Sequence, residues 1–178
     1  MHSAQYDIFE RYERAELYRL FSGLFLHEPS EEFIFHLKDL FFMTFEDPID
    51  NIRRDFHGLF ILNRDLLPVE SLQRQDLPRD LIVREVEGFY HSTGIMLDEE
   101  LSLPPDHLSL ELIFLSYTIE NGLYETFVKF FDAHIMSWVP QYCDMVKEHS
   151  ETGFYREALS IFREFLDSEY EELEDHNP

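Results

Sequence analysis

The sequence predicts a single all-α domain, a helical bundle spanning residues 1–178. Three observations point there. Apolar residues recur at helical spacing in one segment after another, no segment sustains an alternation of period two, and no linker or internal repeat divides the chain. The length of 178 residues suits one domain with one sizeable core. Hydrophobic residues at 44% and charged residues at 29% exclude a disordered chain. With 18 Phe and 9 Tyr against a single Trp, much of that core is expected to be ring packing.

The first helix is predicted from Tyr6 to Leu26, carrying Phe9, Leu17, Leu20, Phe21, Leu24 and Phe25 at helical spacing and stopping before Pro29. Ser30 then caps a second helix, with Glu31 and Glu32 in its first turn and Phe33, Leu37, Leu40 and Phe41 on one face, running to about Phe42. A third starts at Pro48 and turns Ile49, Ile52, Phe56, Leu59 and Phe60 inward before the polar stretch Asn63 to Asp65. Leu66 to Pro78 reads as a loop, long enough by ordinary connection lengths to invite either a functional role or a plain crossover. Asp80 to Tyr90 aligns Ile82, Val86 and Phe89, with Gly94 as its stop.

After an irregular stretch from Leu97 to Pro105, the helix from Asp106 to about Asn121 carries the stripe Leu108, Leu112, Leu115, Ile119 and ends at Gly122. Phe127, Phe131, His134 and Trp138 form the next stripe, closed by Pro140. Phe154, Ala158, Ile161 and Phe165, beside Tyr155, Leu159, Phe162 and Leu166, give the last helix a wide apolar band. The acidic tail from Glu169 to Pro178 is expected to fray.

Fourteen basic residues against 37 acidic ones leave a net charge of -23. Such a field repels nucleic acids and anionic membranes and attracts cationic partners, although a solvated surface that keeps a Phe-rich protein soluble explains the charge equally simply. Cys143 is the only cysteine, which suits a reducing compartment and a buried structural thiol. Met1 to Glu10 lacks a basic region followed by an apolar run, and no apolar stretch approaches the roughly 20 residues of a membrane span, so a cytoplasmic location is expected.

Catalytic signatures are missing. The glycines at Gly23, Gly58, Gly88, Gly94, Gly122 and Gly153 are isolated, so neither a P-loop nor a dinucleotide fingerprint is present. No serine sits on a glycine-flanked elbow, and Cys143 has only Lys147 as a basic neighbour one turn on. His107 and Glu111 share a helix face, but two ligands do not make a metal site, and His134 on an apolar stripe reads as a core histidine. No enzyme activity, metal or cofactor is expected.

One run carries more. Leu103-Pro104-Pro105-Asp106-His107-Leu108 stiffens the approach to a helix that Asp106 is placed to cap, and His107, Glu111, Phe114 and Thr118 recur beside the leucine stripe as a polar and aromatic strip. This run resembles the Pro-Asp-His signature of the TorD/DmsD/NarJ family of redox enzyme maturation chaperones. Other blocks follow in that family's order: Leu17-Tyr18-Arg19-Leu20-Phe21 leading to Glu28-Pro29-Ser30, Asp55-Phe56-His57-Gly58-Leu59-Phe60 followed by Pro68-Val69-Glu70-Ser71, then His134 to Trp138 and Phe154-Tyr155. Phe56, Gly58 and Val69 depart from the family's usual residues at their positions.

The resemblance implies a TorD-like helical fold and a cytoplasmic chaperone that binds the twin-arginine signal peptide of a molybdoenzyme apoprotein, delaying export until cofactor insertion. A peptide with two positive charges and an apolar stretch calls for acidic residues beside a hydrophobic groove. On that reading Asp106, Glu111 and Glu70 supply the charge, Leu59, Phe60, Phe89, Tyr90 and Phe114 the apolar wall, and His107 and Ser71 complete the set. The protein is then a monomer or a domain-swapped dimer, and guanine-nucleotide binding, described for some relatives, stays open. Two other readings also remain: an acidic helical module for a basic partner unrelated to export, and a metal enzyme built on His107 and Glu111.

Overall fold

A computed structural model of the protein describes residues 2–98 and 100–175, with side chains at 10–98 and 100–174, so the inward place expected for Phe9 falls outside it. The fold is all-α. Among the described residues nine α-helices follow one another: α1 His2–Leu26, α2 Glu31–Leu40, α3 Ile49–His57, α4 Glu70–Gln73, α5 Arg79–Ser92, α6 Leu108–Glu120, α7 Tyr124–Phe130, α8 Val139–His149 and α9 Gly153–Asp175. Two π-turns, Gly58–Leu62 and Phe131–Met136, extend α3 and α7, and a 3-10 turn covers Arg64–Leu66. Among the described residues the sole β feature is an isolated antiparallel bridge between Val69 and His107. None of these helices is long and apolar enough to cross a membrane.

Backbone packing divides the chain into two compact units. The first joins α1 to residues 68–137 and is built on α6, where nine of thirteen residues are buried. Its sequence is apolar on almost every face, which is the pattern of a helix meant for an interior. It lies along α1, with Ser109 Oγ donating to the Ser22 carbonyl at 2.9 Å and Arg19 paired to Glu120 at 2.5 Å. Aromatic edges fill the rest: Phe114 meets Phe130 at 4.7 Å and Tyr90 at 4.9 Å between ring centroids, contacts worth roughly 0.5–1.5 kcal/mol each beyond burial. Gly94 and Gly122, at φ 83° and 67°, end α5 and α6 as expected.

The second unit contains α2, α3, α8 and α9. Ser30 caps α2 by accepting from Phe33 N at 3.1 Å. The helix ends at Leu40 rather than Phe42, because the chain turns left-handed at Phe42 and Met43 N donates back to the Lys38 carbonyl. Asp55, near the end of α3, accepts from Glu151 N, Thr152 N and Thr152 Oγ1, fixing the entry to α9. Cys143 is buried in α8, and burial pushes its thiol up to about 12.

Three expectations are corrected here. Pro140 does not close a stripe; it sits in the first turn of α8, a helix the periodicity did not reveal, since proline serves equally as a stop and as a first-turn residue. The loop from Leu66 to Pro78 contains the single turn α4. Fraying does not begin at Glu169, which is 3% exposed on a helix that continues to Asp175; residues 176–178 lie outside the described part.

Candidate functional site

The site grows from two short strands of chain laid side by side in the first unit. Leu108 N donates to the Pro68 carbonyl at 2.8 Å and Glu70 N to the Asp106 carbonyl at 2.9 Å, and the Asp106 carboxylate accepts from Ser71 N at 2.8 Å. Asp106 therefore caps α4, not α6 as the sequence suggested. That role falls to His107, whose Nδ1 accepts from Ser109 N at 3.2 Å at the start of α6. Burial lowers the His107 pKa to about 4, so the ring is neutral and its acceptor nitrogen stays free for the cap.

Below this seam lies a set of buried acids. Glu70, Asp106 and Glu111 have no exposed surface. Glu70 accepts from Arg74 Nη1 at 2.7 Å and from His134 Nδ1 at 3.0 and 3.2 Å. Both Glu111 oxygens and Asp106 Oδ1 have no hydrogen-bond partner among the described residues. Burial, then the negative charges of Glu70 and Asp106, holds Glu111 protonated well above the usual carboxylate range. Tyr90 donates to the Pro105 carbonyl at 2.8 Å, and burial together with the same three acids raises its phenol.

Beside the acids a cleft of about 460 Å³ opens, lined by Glu85, Gly88, Phe89, Ser92, Ala133 and His134. Phe89 is half-buried and packs edge-on against His134 and Phe130. Of the residues expected from the sequence, Asp106, His107, Glu111, Phe114, Glu70, Ser71, Phe89 and Tyr90 are thus gathered in one unit, Phe114 and Tyr90 as buried rings. Leu59 and Phe60 belong to the second unit and are 2% and 3% exposed; Phe60 packs on Phe56 and Tyr155, and Leu59 lines a depression of about 300 Å³ with Arg54, His57 and His149. Arg74 was not foreseen, although its place four residues after Glu70 is the spacing of a helical ion pair. Among the described residues, no three His, Cys, Asp or Glu side chains are arranged to hold a metal ion.

The family profile described as nitrate reductase delta subunit matches residues 25–144. The chain belongs to this family. Relatives agree with it: Chaperone protein TorD of Vibrio parahaemolyticus serotype O3:K6 is 29% identical over 201 residues, covering 88% of this chain and 94% of that one. Chaperone protein TorD of Vibrio atlanticus is 25% identical over 180 residues, covering 90% and 84%. A crystal structure described as that of a redox enzyme maturation protein from Archaeoglobus fulgidus superposes with a TM-score of 0.59 at 25% identity, covering 86% and 93%. As a member of the TorD/NarJ family, the chain is a redox enzyme maturation chaperone and not a catalyst.

Proposed function

We propose that this chaperone works in the cytoplasm, where it binds the twin-arginine signal peptide of a molybdenum-cofactor oxidoreductase and delays its export until the cofactor is in place. The observation that carries this reading is the pairing of buried acids with an aromatic-edged cleft on one unit: Phe89, His134 and the exposed Glu85 line the cleft, His134 is hydrogen-bonded to the buried Glu70, and Asp106 and Glu111 are buried in the same unit. Two arginines followed by an apolar stretch match that pairing, charge to charge and apolar side chain to ring. Because all three acids are inside, Asp106 and Glu70 supply the field and hold the seam, the protonated Glu111 is a neutral neighbour within it, and Ser71, His107, Tyr90 and Phe114 support the arrangement. The net charge of -23 draws a cationic peptide in from solution.

The test is binding of a synthetic twin-arginine signal peptide by calorimetry to the parent and to Phe89→Ala, Asp106→Ala and His107→Ala variants shown to be folded by circular dichroism. Affinity should fall by about tenfold or more for Phe89→Ala and weaken with added salt. Folded variants that all bind as tightly as the parent would sink the assignment of the site. An unrelated basic helix bound as tightly as the signal peptide would sink the export reading.

A further inference from the structure

Arg74 is bound by the protein in the way a foreign arginine would be. Its Nη1 reaches inward, donating to Glu70 Oε1 at 2.7 Å and to the Ala133 carbonyl at 3.0 Å, the residue that also lines the cleft. Its Nε and Nη2 face the other way, paired with Asp76 at 2.9 and 2.5 Å. Only one nitrogen of the fork therefore serves the buried acid, while the other two are spent on a side chain that is 61% exposed. Asp106 Oδ1, fully buried and without a hydrogen-bond partner among the described residues, leaves this interior with an acceptor that Arg74 does not satisfy. Arg74 itself stands at the C-cap of the one-turn α4, where the backbone has already become extended, so an outward swing of its side chain with Asp76 requires no unwinding of a long helix.

We infer that the seat of the Arg74 guanidinium, between Glu70 and the Ala133 carbonyl, is an exchange site: an arginine side chain of a bound polypeptide takes that seat while Arg74 withdraws with Asp76. This deepens the signal-peptide reading and rests on it for the source of the incoming arginine. The chemistry is selective, because leaving Glu70 without a cation is costly and a planar fork with several N–H donors spans carboxylate and carbonyl together, which an ammonium does as a point charge only. Arg74 thus keeps the acid compensated until a competing guanidinium arrives, so that lysine-bearing segments fail to open the site.

The full chain carrying Arg74→Ala tests this. Its thermal midpoint should lie below that of the parent and be restored by millimolar ethylguanidinium but not by millimolar ethylammonium, with the parent unmoved by either. The same variant should bind a twin-arginine peptide about tenfold more tightly than the parent and a twin-lysine peptide no more tightly. Should Arg74→Ala not fold, Arg74→Lys retains a cation beside Glu70, and calorimetry should show it binding ethylguanidinium in preference to ethylammonium. Equal response to the two cations overturns the exchange site even if the parent binds the signal peptide. Selective rescue by ethylguanidinium, with no peptide bound by any form, supports the site and removes the signal peptide as its ligand.

Discussion

His134 Nδ1 lies 3.0 Å from Glu70 Oε2, with side-chain exposures of 2% and 0%, so the imidazole satisfies part of a carboxylate that has no exposed surface. A carboxylate only accepts, which makes the imidazole N–H the donor. Truncation to His134→Ala removes that donor and leaves the acid on the Arg74 guanidinium. The expected cost is about 3 kcal/mol, the usual figure for breaking a buried charged hydrogen-bonded pair, read from urea unfolding of parent and variant. His134→Gln, which retains an N–H donor, should recover part of the loss.

Glu111 should destabilise the protein progressively as pH rises. Burial and the neighbouring acids raise its folded-state pKa, so the folded chain keeps a proton that the unfolded chain releases above its ordinary value of 4.5. Stability from this group is complete below that pH and is lost as pH rises toward the folded value, with a slope of at most about 1.4 kcal/mol per pH unit. Glu111→Gln, of the same shape and unable to ionise, is expected to raise the thermal midpoint at pH 7–8 and to match the parent near pH 4. A midpoint difference that does not change with pH would contradict this.

His107 acts in the opposite direction and on the acid side. Its folded pKa of about 4, against 6.5 unfolded, means that the unfolded chain binds the extra proton first. The stability it contributes is intact above pH 6.5 and falls away toward pH 4, by about 3 kcal/mol over the whole window. His107→Asn should flatten that limb while its side-chain oxygen still accepts from Ser109 N; denaturant midpoints at pH 4.5 and 7 measure it.

What the sequence made legible is what local backbone chemistry decides. Ser30, Gly94 and Gly122 punctuate helices because a cap or a left-handed turn is settled within four residues, and the ordered blocks from Leu17 to Tyr155 carried the family. What it hid depends on distant partners. Asp106 and His107 both stand ready to cap α6, and the choice is made by Ser71, 35 residues away, which claims the aspartate. Glu70 and Glu111 look like surface acids in the sequence and are both fully buried only once the unit has packed, and the π-turn at Phe131–Met136 shifts the helical phase by an extra residue before α8.

Phe42 occupies the first residue past the cap of α2 at φ 52°, a left-handed position that glycine or asparagine fills more easily, and it is 88% exposed. A bulky side chain there costs roughly 1 kcal/mol and returns little by burial. Phe42→Asn is expected to stabilise the chain by several tenths to about 1 kcal/mol, visible as a higher urea midpoint with an unchanged slope.

Asp55 ties the end of α3 to the start of α9 through three donors: Thr152 Oγ1 at 2.6 Å, Thr152 N at 2.9 Å and Glu151 N at 3.2 Å. Asp55 is 5% and Thr152 3% exposed, so water is poorly placed to replace the lost acceptor. Asp55→Ala orphans two backbone N–H groups and a hydroxyl together, and a loss of about 3 kcal/mol is expected. Asp55→Asn keeps one acceptor oxygen and should lose about half as much, while Thr152→Val deletes the hydroxyl bond to Asp55 together with the longer one that Oγ1 accepts from Tyr155 N at 3.5 Å. Because the two residues share that bond, the double variant Asp55→Ala with Thr152→Val should lose less than the two single losses added together, by about 1 kcal/mol. Strict additivity in that cycle would mean that the hydroxyl contact holds nothing, and that the aspartate acts through the backbone alone.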